Sequence, residues 1–187
     1  MSEDELVGMA FFLFAGGFHT TASVLARSVQ FILSDPDRWE RAKDSLDSPK
    51  NLTEEILRCL GGTGFNGANI VDFIPREATA DVELNETVIK SGETVMVLAV
   101  LPGGDPAKID DWDQFDPSRE ATGHLSFGHG RHVCLGQHLA RVELIVALEG
   151  LMRRFPGLHL TSPPDGDSIS SGRLGTLPGF EPYFVGW

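Results

Sequence analysis

Residues 6–18 constrain this chain more than any other stretch, because they are apolar nearly all round a helix rather than along one stripe. From Leu6 to about Ser34 only Gly16-Gly17 interrupts helical sequence, which predicts one helix of about 28 residues running through the core. Ser2-Glu3-Asp4-Glu5 ahead of it supplies capping oxygens and negative charge suited to a helix N-terminus. An export signal is basic at that place, so none is expected here. The apolar run falls short of the roughly 20 residues that cross a bilayer, and His19-Thr20-Thr21 ends it with polar groups. The expectation is a buried core helix in a cytoplasmic protein, with no membrane partner.

The rest of the chain reads as shorter elements. Asp35-Pro36 restarts a helix with an N-cap and a first-turn proline, and Trp39, Ala42 and Leu46 give it a face. Asn51-Leu52-Thr53-Glu54-Glu55 opens another, which ends at the glycines from Gly61. From Asn66 to about Val100 the pattern turns to strands: Asp81-Val82-Glu83-Leu84 alternates, Gly92 punctuates, and residues 94–98 are β-rich. Pro102-Gly103-Gly104-Asp105-Pro106 reads as a turn or short helix, and residues 107–126 as an irregular but packed meander.

Leu135 to Arg154 is helical, with Leu135, Leu139, Val142, Ile145, Val146, Leu148 and Leu151 expected on its inner side. Pro156-Gly157 stops it, residues 158–160 and 183–185 read as short strands, and residues 162–179 as a loop. The sum is a mainly α chain with small β-sheets, an α+β fold in one domain of residues 1–187.

A formal charge of −12 argues against a nucleic-acid partner, because that binding needs Lys and Arg against phosphates. Two cysteines in 187 residues make no disulfide framework. Cys59 reads as a core thiol. Cys134 has different surroundings, since residues 127–136 read FGHGRHVCLG. Gly128 and Gly130 allow a tight, partly left-handed turn, and Gly136 leaves the backbone open to a flat partner. A thiolate at the first turn of a helix is stabilised by backbone N–H groups and is a good soft metal ligand.

Phe-Gly-x-Gly-x-His-x-Cys-x-Gly resembles the cysteine loop of the cytochrome P450 family. The resemblance implies that Cys134 is the axial thiolate of a haem b, pushing electron density onto iron. Phe127 then packs beside the sulfur, and Arg76 and His132 bind the haem propionates, which require cationic or hydrogen-bonding partners. Glu55 and Arg58 form the family's Glu-x-x-Arg pair. On any helix that is an ordinary i,i+3 contact, but here it lies 79 positions before Cys134, a spacing similar to the family's. Arg119, in Phe115-x-x-x-Arg119, is implied to complete a structural charge network with that pair.

Gly16-Gly17-Phe18-His19-Thr20-Thr21 is similar to the family's distal motif, with His19 in place of the usual acid. Thr20 is then the oxygen-activating hydroxyl. For His19, three readings stand side by side: a proton relay using imidazole, a distal iron ligand, and drift after loss of oxygen chemistry. Val71, Phe73, Ile74 and Leu174 match positions that line family substrate pockets, against plain core packing. His138 and Arg141 read as a solvated face of the last helix, or as a contact for a redox partner.

The likeness covers the chain but only about half of the family's fold, from the central distal helix through the cysteine loop and proximal helix. It implies a haem-thiolate monooxygenase, or its haem-binding half, that takes electrons from a ferredoxin-type donor and inserts one oxygen atom into a small apolar substrate. The alternatives are a truncated, non-catalytic scaffold subunit and a peroxide-driven enzyme using His19. With half of the fold absent the first helix exposes a large apolar patch, unless this is a fragment or a partner chain covers that face.

Overall fold

The computed structural model of the chain describes residues 1–62, 74–97, 105–120, 123–161 and 184–187. Among the described residues four α-helices carry the architecture: α1 (Glu3–Leu33), α2 (Pro36–Asp44), α3 (Pro49–Gly62) and α4 (Gln137–Arg154). Three two-stranded antiparallel sheets accompany them there. They pair β1 (Ile74–Glu77) with β4 (Thr94–Val97), β2 (Val82–Leu84) with β3 (Thr87–Ile89), and β5 (His159–Leu160) with β6 (Val185–Gly186).

Local chemistry explains the helix starts. Ser2 caps α1 in a reciprocal box: its hydroxyl accepts from the Glu5 N–H, and the Glu5 carboxylate accepts from the Ser2 N–H. The Asp35 carboxylate accepts from the Asp37 N–H, and Pro36 supplies the fixed φ of the first turn of α2. Asn85 (φ 51°) turns the β2–β3 hairpin and Gly92 (φ 87°) the approach to β4.

The core forms where the C-terminal half of α1 meets α2, α3 and the inner face of α4. Phe31, Ile32, Trp39, Ala42, Leu52, Ile56, Leu148 and Met152 fill it. Phe115, from the segment before the cysteine loop, meets Phe31 edge-on at 5.6 Å. The Trp39 indole N–H donates to the Pro156 carbonyl, tying α2 to the end of α4.

Two expectations fail here. The first half of α1 is not buried: residues 1–18 are exposed, with Phe11, Phe12 and Phe14 each about 70% accessible. Buried positions in α1 begin at Ser23, where α4 and α3 come alongside. By length and composition α1 could also cross a membrane, since one 18-residue window has a mean hydropathy of 1.4 and is 6% buried. A 13-residue apolar run understates it.

The inner side of α4 also differs. Leu144, Leu148 and Met152 are buried, whereas Leu135, Leu139, Val142 and Val146 are exposed. The helix is apolar on two faces, of which one is buried and the other exposed among the described residues.

Candidate active site

The cysteine loop is built from its backbone. Gly123, Gly128 and Gly130 all take positive φ (67°, 73° and 77°), which an L side chain rarely adopts. The Gly128 N–H donates to the Leu125 carbonyl, and a single 3₁₀ turn at Gly130–His132 closes through Val133 N–H to Gly130 O. The Cys134 N–H then donates to the Phe127 carbonyl at 2.9 Å, bringing the loop back on itself. Gly136 caps α4, and the Gln137 N–H reaches the Cys134 carbonyl. Cys134 is therefore an exposed free thiol three residues before the first turn of α4.

Cys59 is the opposite case. It is buried in α3, and burial followed by the Glu55 carboxylate pushes its thiol up to about 12. No disulfide joins the two.

Two charge clusters flank the loop. In the first, the buried Arg58 guanidinium holds Glu55 through two bonds of 2.7 Å. It also donates to the carbonyls of Trp112 and Gln114. Arg119 Nε lies 3.5 Å from the same carboxylate, and Arg119 donates to the carbonyls of Asp110 and Asp111. The structure thus brings Glu55, Arg58 and Arg119 together and ties them to the meander. The Glu55 hydrogen bond raises the Arg58 guanidinium against its burial.

The second cluster was not anticipated. Glu54 accepts from Arg141 at 2.6 and 3.2 Å and lies 3.0 Å from His124 Nε2. Burial alone would raise the Glu54 carboxyl, but the hydrogen bonds from His124 and Arg141 and the guanidinium charge bring it down to about 2. Arg141 is thus no solvated helix residue. Its guanidinium stacks 4.3 Å over the half-buried Phe127 ring. The one available signal was the adjacent Glu54-Glu55 pair, whose side chains point about 100° apart on a helix.

On α1, Thr20 is exposed and donates to the Gly16 carbonyl at 2.5 Å. Half-buried His19 faces the protein, with Nδ1 3.2 Å from Ser23 Oγ. Beyond them α1 and α4 border an open groove of about 530 Å³, lined by Thr21, Ala22, Leu25, Val142, Val146 and Ala147 among others. Arg76, paired with Val95 in register, is exposed and donates to the Pro75 carbonyl. His132 is exposed in the 3₁₀ turn. Of the pocket candidates, Val71, Phe73 and Leu174 lie outside the described residues, and Ile74 is described only by its backbone, opposite Val97.

Comparisons with known proteins assign the fold to a family. A model of the cytochrome P450 family matches residues 68–176, more than half of the chain. The chain belongs to the cytochrome P450 family. It is 39% identical to nocardicin C N-oxygenase of Nocardia uniformis subsp. tsuyamanensis over 88% of this chain and 40% of that P450. It is 34% identical to vitamin D3 dihydroxylase of Streptomyces griseolus over 100% of this chain and 44% of that protein. The solved LnmA P450 hydroxylase of Streptomyces atroolivaceus S-140 superposes with a TM-score of 0.84 at 36% identity, covering all of this chain and 46% of that one. The fold is a partial P450 fold, and the chain spans about two fifths of the length of the curated relatives it matches.

The residues present fit a haem, the cofactor that the P450 family implies. A soft thiol stands in the open just before a helix start. The exposed apolar side chains Leu135, Leu139, Val142 and Val146 offer a flat macrocycle the burial it needs.

Proposed function

We propose that this chain is the haem-binding half of a P450-type monooxygenase with Cys134 as axial thiolate. The observation that carries it is the exposed Cys134 thiol, held just before α4 by the hydrogen bond that its own N–H donates to the Phe127 carbonyl. Iron protoporphyrin IX held by such a thiolate supplies the activation of dioxygen and the transfer of one oxygen atom to an organic substrate.

The chain's own residues do the holding and orienting. Phe127 shields the sulfur, and the open backbone at Gly136 lets a flat ring approach. Arg76 and His132, both exposed, pair with the two propionates. Thr20 keeps its proton on Gly16 and turns its oxygen outward, while Ser23 fixes the His19 ring so that it can pass a proton. Val71, Phe73, Ile74 and Leu174 line the substrate pocket. The substrate is a small apolar molecule and the electron donor a ferredoxin-type protein, in the cytoplasm. The named relatives act on compounds too different from one another to select one substrate.

The test is spectroscopic. Haem is added to the chain, reduced and exposed to carbon monoxide, and the thiolate complex gives a Soret band at the wavelength that names the family. Cys134→Ser abolishes that band, and its survival would refute the ligand assignment. His19→Glu changes turnover with oxygen or with peroxide; a variant equal to the parent in both leaves the relay without support.

A second reading rests on a different observation, the exposed first half of α1. It makes the chain a subunit whose apolar helix is covered by a partner chain, with no catalysis of its own. Absence of haem uptake by the chain favours this reading.

A further inference from the structure

Two distant parts of the chain converge on the Glu54 carboxylate of α3. Arg141 reaches it from α4, and His124 from the segment leading into the cysteine loop. The Ser126 N–H donates to His124 Nδ1 at 3.3 Å, so that nitrogen carries no proton and Nε2–H is the one that faces Glu54. The Ser126 hydroxyl donates to the Leu57 carbonyl of α3. Arg141 also bonds the Gln137 side chain at 3.0 Å, and its flat face lies on Phe127. Phe127 in turn offers its carbonyl to the Cys134 amide. Two short routes therefore run from Glu54 to Cys134, one through the Phe127 ring and one through the backbone at Ser126. The Glu55 cluster does something else, since its contacts run to the meander at 110–116.

We propose that Glu54, His124 and Arg141 are positioning residues that clamp the first half of the cysteine loop and thereby aim the Cys134 sulfur at its metal. The proposal rests on the reading of Cys134 as axial ligand. The clamp pairs its carboxylate directly with a guanidinium and an imidazole N–H, so the loop is ordered by a charge that already has its partners. Arginine suits the place because one planar group both forks onto a carboxylate and stacks on an aromatic ring, which lysine cannot do.

The experiment compares the parent chain with Arg141→Ala, Arg141→Lys, His124→Ala and His124→Gln, with Arg153→Ala as control on the exposed end of α4. Two readouts are taken: the carbon monoxide spectrum of the haem-loaded chain, and hydrogen exchange at the Cys134 amide without haem. Arg141→Ala, Arg141→Lys and His124→Ala are expected to lose most of the thiolate band to a shorter-wavelength form. Their Cys134 amide exchanges roughly tenfold faster, a loss of about 1.4 kcal/mol in loop closure. His124→Gln, which keeps a donor and an acceptor, retains the band, and Arg153→Ala changes neither readout.

A parent with no thiolate band refutes the axial-ligand reading itself. A parent with the band and clamp variants that keep it refute the positioning role alone, whatever their amide exchange. Should the alanine variants fail to fold, the loss in Arg141→Lys against retention in His124→Gln decides.

Discussion

Glu55 and Arg58 each expose about 1% of their side chains, so neither can turn to water when its partner is removed. Arg58→Ala would leave a buried carboxylate facing two empty carbonyls and is expected to cost about 3–5 kcal/mol, read from urea denaturation. Glu54 makes a pH-dependent contribution instead. Its carboxyl is lowered from 4.5 to about 2, so its stabilisation is complete above pH 4.5 and fades as the pH falls towards 2. Glu54→Gln should therefore lower stability at neutral pH and flatten its pH dependence across that acid window. An unchanged acid titration curve of stability would contradict this. Sequence legibility divides these two neighbours sharply. Glu55 is visible because its arginine is three residues away, whereas the partners of Glu54 are 70 and 87 residues distant. No local pattern announces them.

Helices with local punctuation were readable, and α2 shows why. Its cap, its proline and its buried Trp39 and Ala42 all lie within eight residues. Asp35→Ala removes the oxygen that accepts the Asp37 amide and is expected to cost about 1 kcal/mol. The cysteine loop is legible for the same reason, since its glycines must permit what its backbone does. At Gly128 an added Cβ meets nothing within 4 Å, so the penalty of Gly128→Ala comes from φ alone. A loss of about 1–2 kcal/mol is expected, and a much larger one would point to a contact absent here. The face of α4 was not legible. Apolar side chains occur on two of its sides, and periodicity cannot tell which one this chain covers.

The chain as a whole leaves much apolar surface open. Residues 6–18 of α1 and the exposed face of α4 carry much of it, and the solved P450 hydroxylase that this chain matches is about twice as long. A face of aromatic rings this size promotes association in water. The chain alone is expected to bind an environment-sensitive dye strongly and to self-associate. Phe11→Gln with Phe14→Gln should reduce both, as seen by sedimentation. The exposure of α1 was legible only through the family likeness, which leaves half of the fold outside this chain; the helix's own residues read as buried core, because burial depends on what surrounds a helix as much as on its sequence.

The contrast between the two thiols has a practical consequence. Cys59 is sealed in α3 with its proton held to about pH 12, and Cys134 stands in the open. A maleimide reagent at neutral pH should therefore mark each chain once, at the very atom assigned to the metal. Labelling then becomes a titration of site occupancy, since every chain whose sulfur is taken by iron stays unmarked.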